Sequence, residues 1–281
     1  MIRRPIRAML MAFLVAACSV DIAVSPPPAT PSQAISIGDP TAPPVSLTIY
    51  AAASLEHALD AVKTAYEAAN PRTTLTISTD SSAALEAKIE QGAPADLFLS
   101  ADATNPAKLR AGGFTADDPV AFAGNTLVII VPEDNPAGIT SPFDLAKGGV
   151  KVIAAGDDVP ITTYARKLVQ NLAIQPAAPG GFDLAYEANV VSREDNVQAV
   201  VAKVELGEGD AAIVYATDAA ASGKVDSVRI RPETANVTAT YEGVVVVRTL
   251  PQQAYATEFL HWLAGPDGAA ILEGFGFLPA P

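Results

Sequence analysis

Residues 49–55 read Ile49-Tyr50-Ala51-Ala52-Ala53-Ser54-Leu55: a short apolar run ends in small residues and a serine, and a helical pattern begins. Ser46 to Ala51 has the character of a buried strand, and Leu55, Leu59, Val62 and Tyr66 then recur at helical spacing until Asn70-Pro71 stops them. The next segment repeats the order. Thr73 to Ser78 alternates as a strand, Asp80-Ser81-Ser82 offers N-cap chemistry, Leu85 and Ile89 mark a helix, Gly92 closes it, and Ala95 to Ser100 is another short apolar strand. Strand, helix, strand, helix, strand is the pattern of a parallel sheet with helices on its faces, so the fold class is α/β.

Further along, Gly124-Asn125 is followed by an apolar strand, Thr126 to Val131, ended by Pro132. A second α/β region has a strand at Val150 to Ala154 and a helix carrying Tyr164, Leu168 and Leu172. After a Pro/Gly-rich connection from Pro176 to Gly181, Asp195-Asn196 caps a helix with Val197, Val200, Val201 and Val204 on one face, and Ala211 to Tyr215 is a buried strand. Tyr241 to Val247 is the next apolar strand, leading into a helix with Tyr255, Phe259, Trp262 and Leu263. The strands at 126–131 and 241–247 bracket a self-contained middle segment and read as two crossings between lobes. One lobe comprises 46–123 plus 241–281, the other 124–240, with a central cleft where ligands of α/β proteins usually bind.

The amino terminus has a different character. Arg3, Arg4 and Arg7 precede the apolar run Ala8 to Ala17, too short to span a bilayer, so residues 1–17 read as a secretion signal. Val15-Ala16-Ala17-Cys18 resembles a lipobox, at which a bacterial peptidase cuts so that the new terminal cysteine carries lipid. Cys18 is the single cysteine, which excludes an intramolecular disulfide. Residues 18–45 hold Pro26-Pro27-Pro28, Pro31, Pro40 and Pro43-Pro44 and read as a disordered tether between anchor and folded body. Loss of the leader leaves 15 basic residues against 31 acidic ones, a formal charge of −16. Such a surface excludes nucleic acid as a partner and repels anions at long range, so an anion site here must work by local geometry.

Candidate binding chemistry lies where strands turn into helices: at Ser54, at Ser81-Ser82, at Val159-Pro160-Ile161 and at Asp195-Asn196-Val197. Helix starts expose backbone N–H groups without intrahelical partners and carry roughly half a positive charge each, so four converging would offset about two negative charges. No basic residue stands at any of the four junctions. Serines before helices are also good N-caps, and on the residues alone both readings stand.

Ala51-Ala52-Ala53-Ser54-Leu55, Ser81-Ser82, Gly92-Ala93-Pro94-Ala95-Asp96-Leu97-Phe98-Leu99-Ser100-Ala101-Asp102, Gly124-Asn125-Thr126-Leu127-Val128, Val159-Pro160, Glu194-Asp195-Asn196-Val197 and Ile213-Val214-Tyr215-Ala216-Thr217-Asp218-Ala219 resemble, in order and at compatible spacing, the periplasmic molybdate-binding proteins of ABC transporters. The resemblance implies a two-lobed periplasmic binding protein fold of type II with two hinge-crossing strands. It implies a tetrahedral oxyanion, molybdate or tungstate, held by Ser54, Ser82, the N–H groups of Ile161 and Val197, and the Tyr215 hydroxyl. It further implies delivery to an ABC permease, no cofactor, no catalysis, and an extracytoplasmic monomer, here held to the membrane through Cys18. The chain departs from the pattern at Ile161-Thr162, where relatives often have a smaller residue and glycine, and at Ala83-Ala84, which leaves fewer hydroxyls in the second loop.

Molybdate, tungstate and sulfate are fully deprotonated near neutral pH and need only donors, whereas phosphate keeps a proton that needs an acceptor. Asp80 and Asp195 are expected as structural caps. Rival readings are a carrier for sulfate, thiosulfate or phosphate, a serine hydrolase using Ser54 with His57 or His261, and a ferric-iron carrier. The hydrolase lacks the G-x-S-x-G elbow, and the iron carrier lacks a tyrosine pair or a cluster of histidines and carboxylates.

Overall fold

The computed structural model describes residues 43–281. The expected secretion signal, Cys18 and all of the tether before Pro43 lie outside the described residues. The first β-α-β-α-β unit forms as expected: β1 (Val45–Ala52), a 3-10 turn at Ala53–Leu55, α1 (Glu56–Ala69), β2 (Thr73–Asp80), α2 (Ser82–Glu90) and β3 (Leu97–Ser100). β1 pairs in parallel with both neighbours, from Val45 opposite Thr73 to Ala52 opposite Asp80, and with Ala51 opposite Leu99. The three strands therefore end level.

After α3 (Thr104–Ala111) comes β4 (Val120–Pro132), longer than the expected strand at 126–131. Gly124 and Asn125 lie inside it instead of preceding it, for two reasons. A Cβ on Gly124 would stand 3.3 Å from both Leu278 Cβ and the Pro279 carbonyl oxygen, so glycine permits that close approach. Asn125 is fully buried with its side chain hydrogen-bonded, so a polar residue here does not interrupt the strand.

A second parallel unit follows: β5 (Val152–Ala155), α4 (Pro160–Ala173), α5 (Phe182–Ala188), β6 (Val190–Glu194), α6 (Val197–Glu205) and β7 (Ala211–Tyr215). β5 runs parallel to both β6 and β7. The chain continues through α7 (Ala216–Ala221), β8 (Val225–Val228) and β9 (Thr238–Val245) to α8 (Leu250–Ala264) and α9 (Pro266–Gly274).

The nine strands of the described residues join one sheet of order β2-β1-β3-β9-β4-β7-β5-β6, with β8 on β4. The halves have the same internal order, since each places its second strand outside, its first in the middle and its third inside. β4 and β9 run antiparallel between them: β9 pairs β3 and β4, and β4 goes on to pair β7 and β8. Positions 123/124 and 240/241 fall within β4 and β9.

The last helices return to the first half. Phe259 and Trp262 of α8 meet Tyr66 of α1 edge to face, with ring centroids 4.9 and 5.0 Å apart. α9 closes on α8 at Gly268, where a Cβ would lie 2.4 Å from the Leu263 Cα and carbonyl oxygen. Backbone cannot yield as a side chain can. Gly268→Ala is therefore expected to cost about 1–3 kcal/mol of stability, read from urea unfolding, and an unchanged midpoint would show that the contact is not tight.

Candidate functional site

Six strand ends meet at one small pocket, with an empty volume of about 210 Å³ that includes space open to solvent. The β1 end contributes Ala52, Ala53 and Ser54, the β2 end Ser81 and Ser82, and the β3 end Ala101. From the second half come Val159, Pro160 and Ile161 after β5, Val197 after β6, and Tyr215 at the end of β7. Ser54, Ser82, Ile161, Val197 and Tyr215, singled out from sequence, all line it. No lysine, arginine or histidine does.

Ile161 is the second residue of α4, after Pro160, which has no N–H, and Val197 is the first of α6. Their N–H groups belong to the first turn, where no intrahelical carbonyl reaches. Asn196 caps α6, its side chain accepting from the Ala199 N–H at 3.0 Å. Asp195, expected beside it as a cap, is exposed.

At the β2 end the two serines divide the work. Ser81 is the N-cap, its Oγ accepting from the Ala84 N–H at 3.2 Å, while Ser82 Oγ accepts from the Ala101 N–H at 3.1 Å. Ser82, committed as an acceptor to the backbone, keeps its own hydrogen for the pocket. Asp80 accepts from the Ser81 N–H and from Lys88 Nζ, each at 2.8 Å. Burial works to raise its pKa, but these bonds outweigh it and hold the carboxyl below its usual value.

Ser54 caps no helix. It lies inside the 3-10 turn, whose N-cap is Ala52, while Leu55 is the N-cap of α1, and Ser54 Oγ lies 2.8 Å from the buried Tyr241 Oη. Neither histidine is its partner. His57 and His261 are both exposed, so the serine–histidine pair that a hydrolase would need is not formed. Among the described residues no group of three or more His, Cys, Asp or Glu side chains could hold a metal ion.

Tyr215 is 1 % exposed, and its hydroxyl oxygen has no hydrogen-bond partner among the described residues. A buried donor left unpaired costs about 1–3 kcal/mol. Burial first, then the nearby Tyr241, Tyr164 and Asp218, push its pKa well up, so the hydroxyl stays protonated and remains a donor. Behind it, the fully buried Asp218 accepts from the Tyr215 N–H at 3.3 Å and from Gln198 Nε2 at 3.0 Å. Burial outweighs both bonds and lifts its pKa to about 8.

Ala101 was not singled out in the sequence. It follows the third strand of the first half as Tyr215 ends the third strand of the second, and Asp102 three residues before Asn105 marks the junction, the carboxylate accepting from the Asn105 N–H at 3.0 Å. Behind Ser54 stand Tyr241, Asn125 and Thr217; the last two fall in motifs that resemble the family, but nothing local in the sequence links any of the three to Ser54. They come from β9, β4 and α7 and meet only through folding.

Two parallel triplets tied by two long strands, with their level ends facing one pocket, are the architecture of a solute-binding protein. The chain belongs to the bacterial extracellular solute-binding proteins, whose family profile matches residues 47–278. It is 33 % identical over 273 residues to the molybdate-binding protein ModA of Mycobacterium tuberculosis, covering 97 % of this chain and 95 % of that one. Among solved structures it resembles the periplasmic molybdate-binding protein of Azotobacter vinelandii, with a TM-score of 0.67 and 21 % identity over 83 % of this chain and 98 % of the other. It also resembles the sulfate-binding protein SubI of Mycobacterium tuberculosis, with a TM-score of 0.74 and 22 % identity over 84 % and 87 %.

Asp218 makes stability depend on pH. An unfolded aspartate titrates near 4, so between about 4 and 8 the folded chain binds the extra proton and stability falls as pH rises. The melting temperature without ligand is expected to decline from pH 5 to pH 9 in the wild type and to decline less in Asp218→Asn. Parallel curves would show that another group carries the dependence.

Proposed function

We propose that this protein is a lipid-anchored, extracytoplasmic carrier that captures molybdate, and tungstate with it, between two lobes (46–123 plus 241–281, and 124–240) and delivers it to an ABC permease. The observation that carries the reading is the Tyr215 hydroxyl, buried, protonated and unpartnered, on a pocket that also receives Ser54, Ser82 and two helix starts. A fully deprotonated oxyanion supplies the acceptor that this hydroxyl lacks. Ser54, Ser82 and Tyr215 act as side-chain donors, and Ile161 and Val197 act through their N–H groups. The likeness to proteins named for molybdate supports the same ligand. No bond is made or broken. Donors from both lobes complete the shell only when the lobes are together, so the ligand favours the closed arrangement, and Cys18 would hold the carrier at the membrane.

Sulfate is the second reading, favoured by the likeness to a sulfate-binding protein. It carries the same charge and no proton, so cavity size separates the two ions.

Parallel calorimetric titrations with molybdate, tungstate, sulfate and phosphate test the assignment. Tight molybdate and tungstate binding is expected, and tight sulfate binding without molybdate would overturn it. Tyr215→Phe and Ser82→Ala should each weaken molybdate binding by about 1–3 kcal/mol, roughly fivefold to 150-fold. If neither affinity moves, these residues do not hold the ligand.

A further inference from the structure

Ser54 and Ser82 both line the pocket, but their hydroxyls are oriented by different means. Ser82 receives a backbone N–H, which no substitution of a side chain removes. Among the described residues, Ser54 Oγ is reached only by another hydroxyl, that of Tyr241. Which of two hydroxyls donates is decided by their other neighbours.

Asn125 settles it. Its Oδ1 accepts from the Thr126 N–H at 2.9 Å, which fixes the amide so that Nδ2 faces the opposite way. One Nδ2 hydrogen goes to Thr217 Oγ1 at 2.8 Å, and Tyr241 Oη lies 3.5 Å from the same nitrogen. An amide nitrogen can only donate, so Tyr241 Oη accepts from it, and although the 2.8 Å separation from Ser54 Oγ allows either direction, Ser54 is the acceptor within reach of the Tyr241 hydrogen. With Tyr241 as the donor, Ser54 Oγ accepts and its own hydrogen is left for the pocket. Asn125 and Tyr241 are fully buried, so water does not offer Tyr241 an alternative partner, while Ser54 borders the pocket.

We propose that Tyr241, itself oriented by Asn125, is a positioning residue that locks the Ser54 hydroxyl as a donor toward the pocket and so makes the site reject oxyanions that carry a proton. A serine free to rotate could accept the hydrogen of a hydrogen phosphate ion. A serine already accepting from Tyr241 must place its own hydrogen on the ligand, so it favours an anion that brings lone pairs over one that brings a proton. The inference rests on the proposed oxyanion site and adds what sets its polarity. Tyr241 and Asn125 stand on β9 and β4, the two strands that lie between the triplets of the sheet, so the lock is built into the part of the fold that joins them.

The test is titration of wild type, Tyr241→Phe, Ser54→Ala and the double variant, each as the whole chain, with molybdate and with inorganic phosphate at pH 7.5. Phenylalanine keeps the ring packing of Tyr241 against Phe122, Tyr215 and Phe277. In Tyr241→Phe the molybdate-to-phosphate affinity ratio is expected to fall at least tenfold. In the Ser54→Ala background the same substitution should leave the ratio unchanged, because the hydroxyl it orients is gone. Equal weakening for both anions, or an unchanged ratio, overturns the inference and leaves the molybdate assignment standing, as does a shift of the same size in the Ser54→Ala background. Wild type that binds neither anion overturns the assignment and the inference with it. Should Tyr241→Phe fold poorly, Asn125→Leu, which removes the donor to Tyr241, is read in the same way.

Discussion

Chain polarity is the constraint on which the rest of this structure depends. In a parallel β-α-β unit every strand delivers the chain to the amino end of a helix at the same edge of the sheet, so unpaired N–H groups accumulate there. Because β2-β1-β3 and β6-β5-β7 have the same order, and β4 and β9 tie them into one sheet, two such edges face a common volume. The pocket is a consequence of topology, and the residues at the six ends refine it. Each helix start supplies roughly half a positive charge, enough in sum to balance a dianion without a basic side chain.

That solution suits a chain with a strong negative charge. A lysine or arginine in the pocket would bind any anion of the right size, including protonated ones. Fixed donors discriminate by proton count, provided their polarity cannot invert. The backbone N–H groups satisfy this by their nature, Ser82 through the Ala101 N–H, and Ser54 through the chain of bonds from Asn125 and Tyr241. The buried acids follow the same logic. Tyr215 and Tyr241 are held protonated mainly by burial, so they remain donors.

Much of the first triplet was legible because its signals are local. Periodicity switches from strand to helix between Tyr50 and Leu55, and small polar residues stand at each turn. The elements that escaped are those with weak local patterns. β6 is a short outer strand carrying Arg193 and Glu194, α5 begins at a glycine, Gly181, with φ +72°, and α9 follows α8 after a single residue, Gly265. β4 was read too short because Gly124 and Asn125 have turn-like composition, whereas burial against the carboxyl-terminal segment and side-chain bonding keep them in the sheet. The five proposed ligand residues were reachable because the motifs around them resemble a known family, and each sits at a junction that sequence alone can locate.

The amino-acid sequence by itself determined that strands alternate with helices, that serines and helix starts rather than cations stand at the junctions, and that any anion site must work by local geometry. These are properties of neighbours along the chain. The tertiary structure alone decided that Ala101 joins the pocket, that Asn196 and not Asp195 caps α6, that Asp218 is buried deeply enough to titrate near 8, and that Ser54 is oriented by Tyr241. Each of these depends on groups separated by a fold rather than by a turn: Ser54 and Tyr241 are 187 positions apart. Proton direction in a hydrogen-bond chain is set by its last fixed donor, here an asparagine on a strand that no pattern around Ser54 could reveal.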